Sequence, residues 1–294
     1  MRFANYDGRL TLLDADGLGV DVHRASGAAL PWSVPEAYER WSEVLAWARS
    51  YSGAGDIVLD EALIGPPSPA PGQMLAVGIN YATHAEEAGF PIPEVPMIFP
   101  KTAPATAGPF EEIGISTDTV DWEIELAVVI GKPTRSVTVE DAWDHVAGLT
   151  VSQDLSERTI QARPQAAPQF SLGKSLPKFG PTGPYLVTLD EVGDPDNLEL
   201  TCLINGEEVQ RGNTSDFIFS VPQVIAYLSW ATTLRPGDVI LTGTPSGIGA
   251  TRTPPRFLRI GDVLESRIEG LGAMRHQIVA DRAAAEEPQL AGQR

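Results

Sequence analysis

Asp121-Trp122-Glu123-Ile124-Glu125-Leu126-Ala127-Val128-Val129-Ile130 is the stretch on which the fold of this chain turns. Acidic and apolar residues alternate through its first half, and the second half is wholly apolar. An alternation of period two marks an extended strand, here one that begins to enter a core. On a strand Glu123 and Glu125 share a face, two residues at about 3.3 Å rise each, so their carboxylates can converge on one ion. Like charges that close need a counter-cation or protons. An ordinary edge strand with a wet face explains the fragment alone equally well.

A third acid comes from Thr150-Val151-Ser152-Gln153-Asp154, which alternates in the same way and ends at the start of a helical turn, Leu155 to Gln161. The chain has one cysteine, Cys202, so neither a disulfide framework nor a cysteine-based zinc or iron-sulfur site can be built. Three carboxylates instead make an all-oxygen site, which favours Mg²⁺ or Mn²⁺ over zinc and leaves positions for water or substrate.

Further strands are expected at Met74 to Ile79, Tyr185 to Val187, Leu198 to Ile204, Val239 to Leu241, Val263 to Ile268 and His276 to Val279. Helices are fewer. One is expected after Ser33 with Glu36 three residues on, one from near Thr138 through Val146, and one capped by Ser220 with Gln223. The proline-rich run from Gly65 to Gly72 interrupts regular structure. It separates a small N-terminal domain, 1–66, from a large one, 72–283, and 284–294 reads as a polar C-terminal tail.

The 294 residues suffice for a sizeable core, and 43% apolar with 20% charged residues describes an ordered globular chain. Its 28 glycines and 25 prolines argue against a long helical bundle. A net charge of −18 repels phosphate backbones and anionic lipid, which excludes nucleic acid as a partner. With no signal-peptide pattern and no apolar run long enough for a bilayer, the expectation is a soluble, cytoplasmic protein with no membrane partner.

Three other places carry chemistry-bearing residues. His84 stands three before Glu87, and on a helix the acid would orient the imidazole as a base, although the pair alone is common on exposed helices. Lys174 is one of four lysines among 21 basic residues and suits a point charge set against a substrate oxygen. The surrounding Gly173-Lys174-Ser175 lacks the upstream glycine of a phosphate loop. In Thr242-Gly243-Thr244-Pro245-Ser246-Gly247-Ile248-Gly249 the glycines let backbone amides or the Thr244 hydroxyl approach a ligand, while the spacing is not that of a dinucleotide fingerprint. His23, His145 and His276 have no acidic partner at a useful spacing and read as structural.

Together these pieces resemble the fumarylacetoacetate hydrolase family from about Met74 to Val279. The paired-glutamate strand matches Glu123 and Glu125, and the Asp-x-Ser-x-Arg-x-x-Gln turn matches Asp154, Ser156, Arg158 and Gln161. Lys174 with Gly183-Pro184, the run from Pro236 to Pro245, and the lid motif Asn80, Tyr81, His84 and Glu87 complete the set. Thr83, Glu157, Thr159 and the run Leu176-Pro177-Lys178 depart from the usual pattern, and Glu157, Pro177 and Lys178 are expected near the substrate.

The resemblance implies an α+β, mainly β fold, a mixed β-sandwich roll with a small N-terminal α/β domain, usually in a homodimer. It implies Glu123, Glu125 and Asp154 as ligands of Mg²⁺, with Mn²⁺ or Ca²⁺ as substitutes, and His84, Glu87 and Lys174 as catalytic groups. Arg158, Gln161, Thr244 and Tyr81 are then expected to bind substrate. The implied activity is hydrolysis of a carbon-carbon bond in a 2-oxo acid or 1,3-dicarbonyl compound of acylpyruvate type, leaving an enolate. Decarboxylation of an oxaloacetate-like acid, or isomerisation or tautomerisation of a 2-hydroxydienoate, would use the same groups. A rival of another class is a ligand-binding protein that kept the fold without turnover.

Overall fold

The computed structural model describes residues 1–283, so the expected tail at 284–294 lies outside the described residues. The opening stretch forms the strand Ile124–Ile130, in which every residue is buried. It sits within an eleven-stranded mixed sheet. The main path of that sheet runs Gly19–Asp21, Arg9–Leu13, Arg2–Tyr6, Gly180–Val187, Val146–Gln153, Ile124–Ile130, Val239–Leu241, Met74–Gly78, Met97–Lys101. A five-stranded sheet, Glu207–Asn213, Glu199–Ile204, Val263–Ile268, Gly272–Ala280 and Ile113–Ile115, forms the second layer.

Both faces of Ile124–Ile130 are covered, which is why its sequence is a continuous apolar run. Ile124, Leu126, Val128 and Ile130 belong to the core shared with Leu200, Leu264 and Met274 of the second sheet. Ala127 and Val129 face the opposite way, into a second core built with Tyr38, Trp41 and Val44. Those three residues lie on the helices Val34–Glu39 and Trp41–Ser50. Glu125, in step with Ala127, therefore lies on the helix-covered side, at the end of the strand that the helices leave to polar groups.

The N-terminal segment is hydrogen-bonded into the large sheet, with Arg2 opposite Val187 and Phe3 opposite Leu186. The proline-rich run beyond it is fixed by the Ser68 hydroxyl, which donates to the Gly237 carbonyl at 2.6 Å, and by the Tyr38 hydroxyl on the Pro67 carbonyl at 3.0 Å.

Two helix expectations need correction. The chain from Thr138 to Val146 holds a single 3₁₀ turn, Ala142–His145, and Val146 opens a strand. Thr138 and Asp141 satisfy each other locally, hydroxyl to carboxylate at 3.0 Å, and Val146–Gln153 gains ladder bonds on both edges, which outweighs helix propensity. Ser33 makes no side-chain capping bond, and the helix expected there breaks at Arg40. The Ser220 and Gln223 capping box forms as expected and opens Val221–Ala231. No helix among the described residues is long and apolar enough to cross a membrane.

Candidate active site

Strand register brings the three acids together. Ile124 lies opposite Gln153 and Glu125 opposite Ser152, so Glu123 and Asp154 meet where the two strands end, with the Asp154 amide donating to the Glu123 carbonyl at 2.9 Å. One carboxylate oxygen from each of Glu123, Glu125 and Asp154 lies within 4.8 Å of the others. All three side chains are buried. Two buried glutamines brace the strand: Gln153 accepts the Glu123 amide at 2.8 Å, and Gln210 accepts the Ile124 amide at 3.0 Å. Gln210 also donates to the Thr244 hydroxyl oxygen at 2.8 Å, which leaves that hydroxyl's own proton for another acceptor.

Three cations face this cluster. Lys174 Nζ donates to Glu123 and to Asp154, each at 2.7 Å. Lys101, fully buried, pairs with the other oxygen of Asp154. Arg158 bridges Glu123 at 2.7 Å and Asp121 at 2.8 Å, and donates to Gln161 at 2.9 Å. The two glutamates respond oppositely. Burial alone would raise Glu123, but Lys174 and Arg158 pull its carboxyl down to about 2. Burial raises Glu125 well above the ordinary carboxylate range, and the negative charges of Asp154 and Glu123 push it the same way.

Glu125 has a hydrogen bond from the Gly243 amide, at 2.7 Å, and no cationic side chain paired with it among the described residues. Gly243 can approach because it has φ +98° and because a Cβ there would lie 2.6 Å from Cβ of Asn80. A buried carboxylate without a cation, beside two others, is costly as it stands, and its hard oxygen donors fit a divalent metal ion.

The lid motif is also assembled. Asn80, fully buried, donates to the carbonyls of Thr242 and Phe219 at 2.8 and 3.0 Å and so pins the start of the helix Ala82–Glu87. His84 Nδ1 lies 2.8 Å from Glu87. With the carboxylate at Nδ1, the proton resides there and Nε2 keeps its lone pair free to act as a base. Burial would raise Glu87, yet the bonds from His84 and the Gly247 amide hold it below the ordinary range. Glu87 is in turn fixed by the Gly247 amide at 2.9 Å and the Thr251 hydroxyl at 3.1 Å. Ile79, between strand and helix, is held at φ +46°, a strained backbone of the kind found at working sites.

One cleft, about 630 Å³ including its open mouth, unites these groups. His84, Lys174, Arg158, Gln161, Thr244 and the three acids line it. Tyr81 does not: it is buried edge-on against Phe217, with ring centroids 4.9 Å apart. Glu157 is also turned away from the cleft. It caps the helix Arg158–Gln161 and accepts from Thr117 at 3.1 Å. Lys178 pairs with Glu111 at 2.8 Å outside the cleft, and Pro177 is not part of its lining.

Sequence reasoning missed Lys101, Asp121 and the two glutamines. The scarcity of lysine that drew attention to Lys174 applies equally to Lys101. Asp121 stands in the quoted stretch, but its role depends on Arg158 and on the amides of Gly249 and Ala250, at 2.7 and 2.9 Å, which no spacing reveals. The other histidines are structural. His276 is buried on the Glu111 carbonyl and pushed down to about 4 by burial, while His23 and His145 bond to Leu30 and Thr134.

A family model described as fumarylacetoacetate (FAA) hydrolase C-terminal matches residues 73–279. The human mitochondrial oxaloacetate tautomerase FAHD2A is 42% identical over 274 residues, 92% of this chain and 87% of its own length. A crystal structure from Mycobacterium smegmatis superposes with a TM-score of 0.90 at 47% identity, covering 95% of this chain and 99% of that one. Fumarylpyruvate hydrolase from Pseudomonas aeruginosa, solved with Mn²⁺ and pyruvate, has a TM-score of 0.66 at 32% identity, covering 72% of this chain and 91% of that one.

Proposed function

The chain belongs to the fumarylacetoacetate hydrolase family, and on that premise we propose that it is a divalent-cation-dependent enzyme that cleaves a carbon-carbon bond in a 2-oxo acid or 1,3-dicarbonyl compound by hydrolysis. The observation that carries this reading is the unpaired, buried Glu125 beside Glu123 and Asp154, in the same cleft as a histidine whose second nitrogen is free. Glu123, Glu125 and Asp154 would hold Mg²⁺ or Mn²⁺, which when bound supplies a Lewis acid for adjacent substrate oxygens.

The chain's own groups do the rest. His84 Nε2 takes a proton from water, and Glu87 stabilises the imidazolium that results. The hydroxide attacks the distal carbonyl carbon, and the electron pair of the broken bond is accommodated as an enolate whose oxygen faces the Lys174 ammonium. The imidazolium then returns its proton to the enolate carbon, which restores the base. Arg158, held by Asp121, and Gln161 orient the carboxylate end, and Thr244 donates its free proton to a substrate oxygen. The homodimer that the resemblance implies belongs to the same proposal, and sedimentation measures it.

A second reading, keto-enol tautomerisation, is favoured by the 42% identity to an oxaloacetate tautomerase. There His84 would exchange a proton with the carbon next to the 2-oxo group and no water would be consumed. The test is a panel of acylpyruvates, oxaloacetate and dienoate isomers with Mg²⁺ or Mn²⁺. Acylpyruvate consumption with release of pyruvate, abolished by chelation, is the expected outcome. Interconversion of oxaloacetate forms without acylpyruvate cleavage would select the second reading, and activity unaffected by thorough chelation would refute both.

A further inference from the structure

The cleft is chemically divided along its depth. Its floor carries the acids with Lys174 and Arg158. The rest of its lining includes Ile79, Phe90, Met97, Phe99, Phe170 and Ile248, of which Phe90 and Met97 are exposed and Phe99 and Ile248 buried. Phe99 and Phe170 form a tilted pair with centroids 6.0 Å apart, and Phe99 covers Lys174, whose Nζ lies 5.2 Å from the ring centre. Met97 reaches inward over Gly78, where a Cβ would come within 2.1 Å of the methionine methyl. Phe90 and Met97 are 55% and 37% exposed at the mouth, as expected of side chains that await an apolar contact.

Among the described residues lining the cleft the only lysine and arginine are Lys174 and Arg158, and both stand at the acid cluster, where the functional reading assigns them the enolate oxygen and the 2-oxo carboxylate. A substrate whose far end carried a second carboxylate would set it among aromatic, aliphatic and thioether groups with no cation to receive it. Desolvating such a charge without a partner is unfavourable, whereas an alkyl or aryl end buries apolar area there.

We propose that this chain selects 2-oxo acids with an uncharged, apolar distal end, bound against Phe90, Met97, Phe99, Phe170 and Ile248, and discriminates against dicarboxylates. The inference rests on the hydrolytic reading above, not on the tautomerase one, whose substrate is itself a dicarboxylate, for the placement of the 2-oxo carboxylate beside Lys174 and Arg158, and it adds what occupies the other end.

The test is calorimetric binding to the Mn²⁺-loaded protein of two six-carbon acids that share one head group, 2-oxohexanoate with a methyl end and 2-oxoadipate with a carboxylate end. The methyl compound is expected to bind about ten-fold more tightly or better. Met97→Arg, and separately Phe90→Arg, place a cation at the exposed mouth and should narrow or invert that preference by tightening 2-oxoadipate. Equal or tighter binding of 2-oxoadipate by the unaltered protein would overturn the inference and leave the functional reading standing. Failure of both acids to bind protein that holds Mn²⁺ would overturn the two together, because the shared head group would then have no site.

Discussion

The two faces of Ile124–Ile130 are equally buried and opposite in character. One face is apolar throughout and lies between the two sheets. The other runs from Val129 and Ala127 beneath the N-terminal helices to Glu125, and then to Glu123 just before the strand. Burial therefore does not decide which side of a strand becomes a site. What decides it is the set of groups placed opposite: hydrocarbon for Leu126 and Val128, and Lys174, Arg158 and the Gly243 amide for the glutamates. The uncharged face accounts for stability and the charged face for chemistry, and substitutions should separate the two.

The largest effect is expected at Glu125. Glu125→Ala should remove Mn²⁺ binding measured by calorimetry, with a loss beyond the about 10–100-fold that follows from disturbing residues that only brace a ligand. Turnover should vanish with it, and retention of both would break the contrast between the faces. Next is His84→Ala, expected to lower turnover by about 10²–10⁴-fold while KM stays near its original value. A rise in KM alone would place the base elsewhere.

On the apolar face, Leu126→Ala should cost about 2–5 kcal/mol in denaturant unfolding and leave Mn²⁺ affinity unchanged. The smallest effect is in pH dependence. Glu125 is raised above its ordinary value of 4.5 in the folded chain, so the folded state holds the proton more tightly, and stability of the chelated protein should fall as pH rises above 4.5. Glu125→Gln should abolish that fall. Glu123 is pulled down to about 2, so its contribution is present above 4.5 and lost as pH drops towards about 2, and Glu123→Gln should remove it. Thermal unfolding of chelated protein across the acid and neutral range distinguishes the two slopes.

The paired carboxylates were legible because period two is a property of local geometry, and Asp154 was legible because its segment alternates in the same way. Val239–Leu241 and Val263–Ile268 have the bounds read from the sequence, since Gly237-Asp238 and Gly243 bracket the first and Gly261-Asp262 and Gly270 the second. The helix expected from Thr138 failed because Val146 is claimed by the ladder to Ile130, 16 positions earlier along the chain, a pairing that local propensity does not reveal. Lys101, Gln153 and Gln210 were not legible for the same reason: each acts across the sheet on a partner that spacing cannot indicate. The polar departures at Glu157 and Lys178 drew attention by their chemistry, yet one is spent on a helix cap and the other on Glu111.

The loop from Gly247 to Thr251 contributes backbone amides and one hydroxyl, and it is gripped from both sides. Glu87 holds Gly247 and Thr251, while Asp121 holds Gly249 and Ala250 and, through Arg158, reaches Glu123. The loop thus works as a crossbar between the imidazole and the acids. One short segment of chain fixes both the carboxylate that orients the base and the carboxylate that holds Arg158 against Glu123.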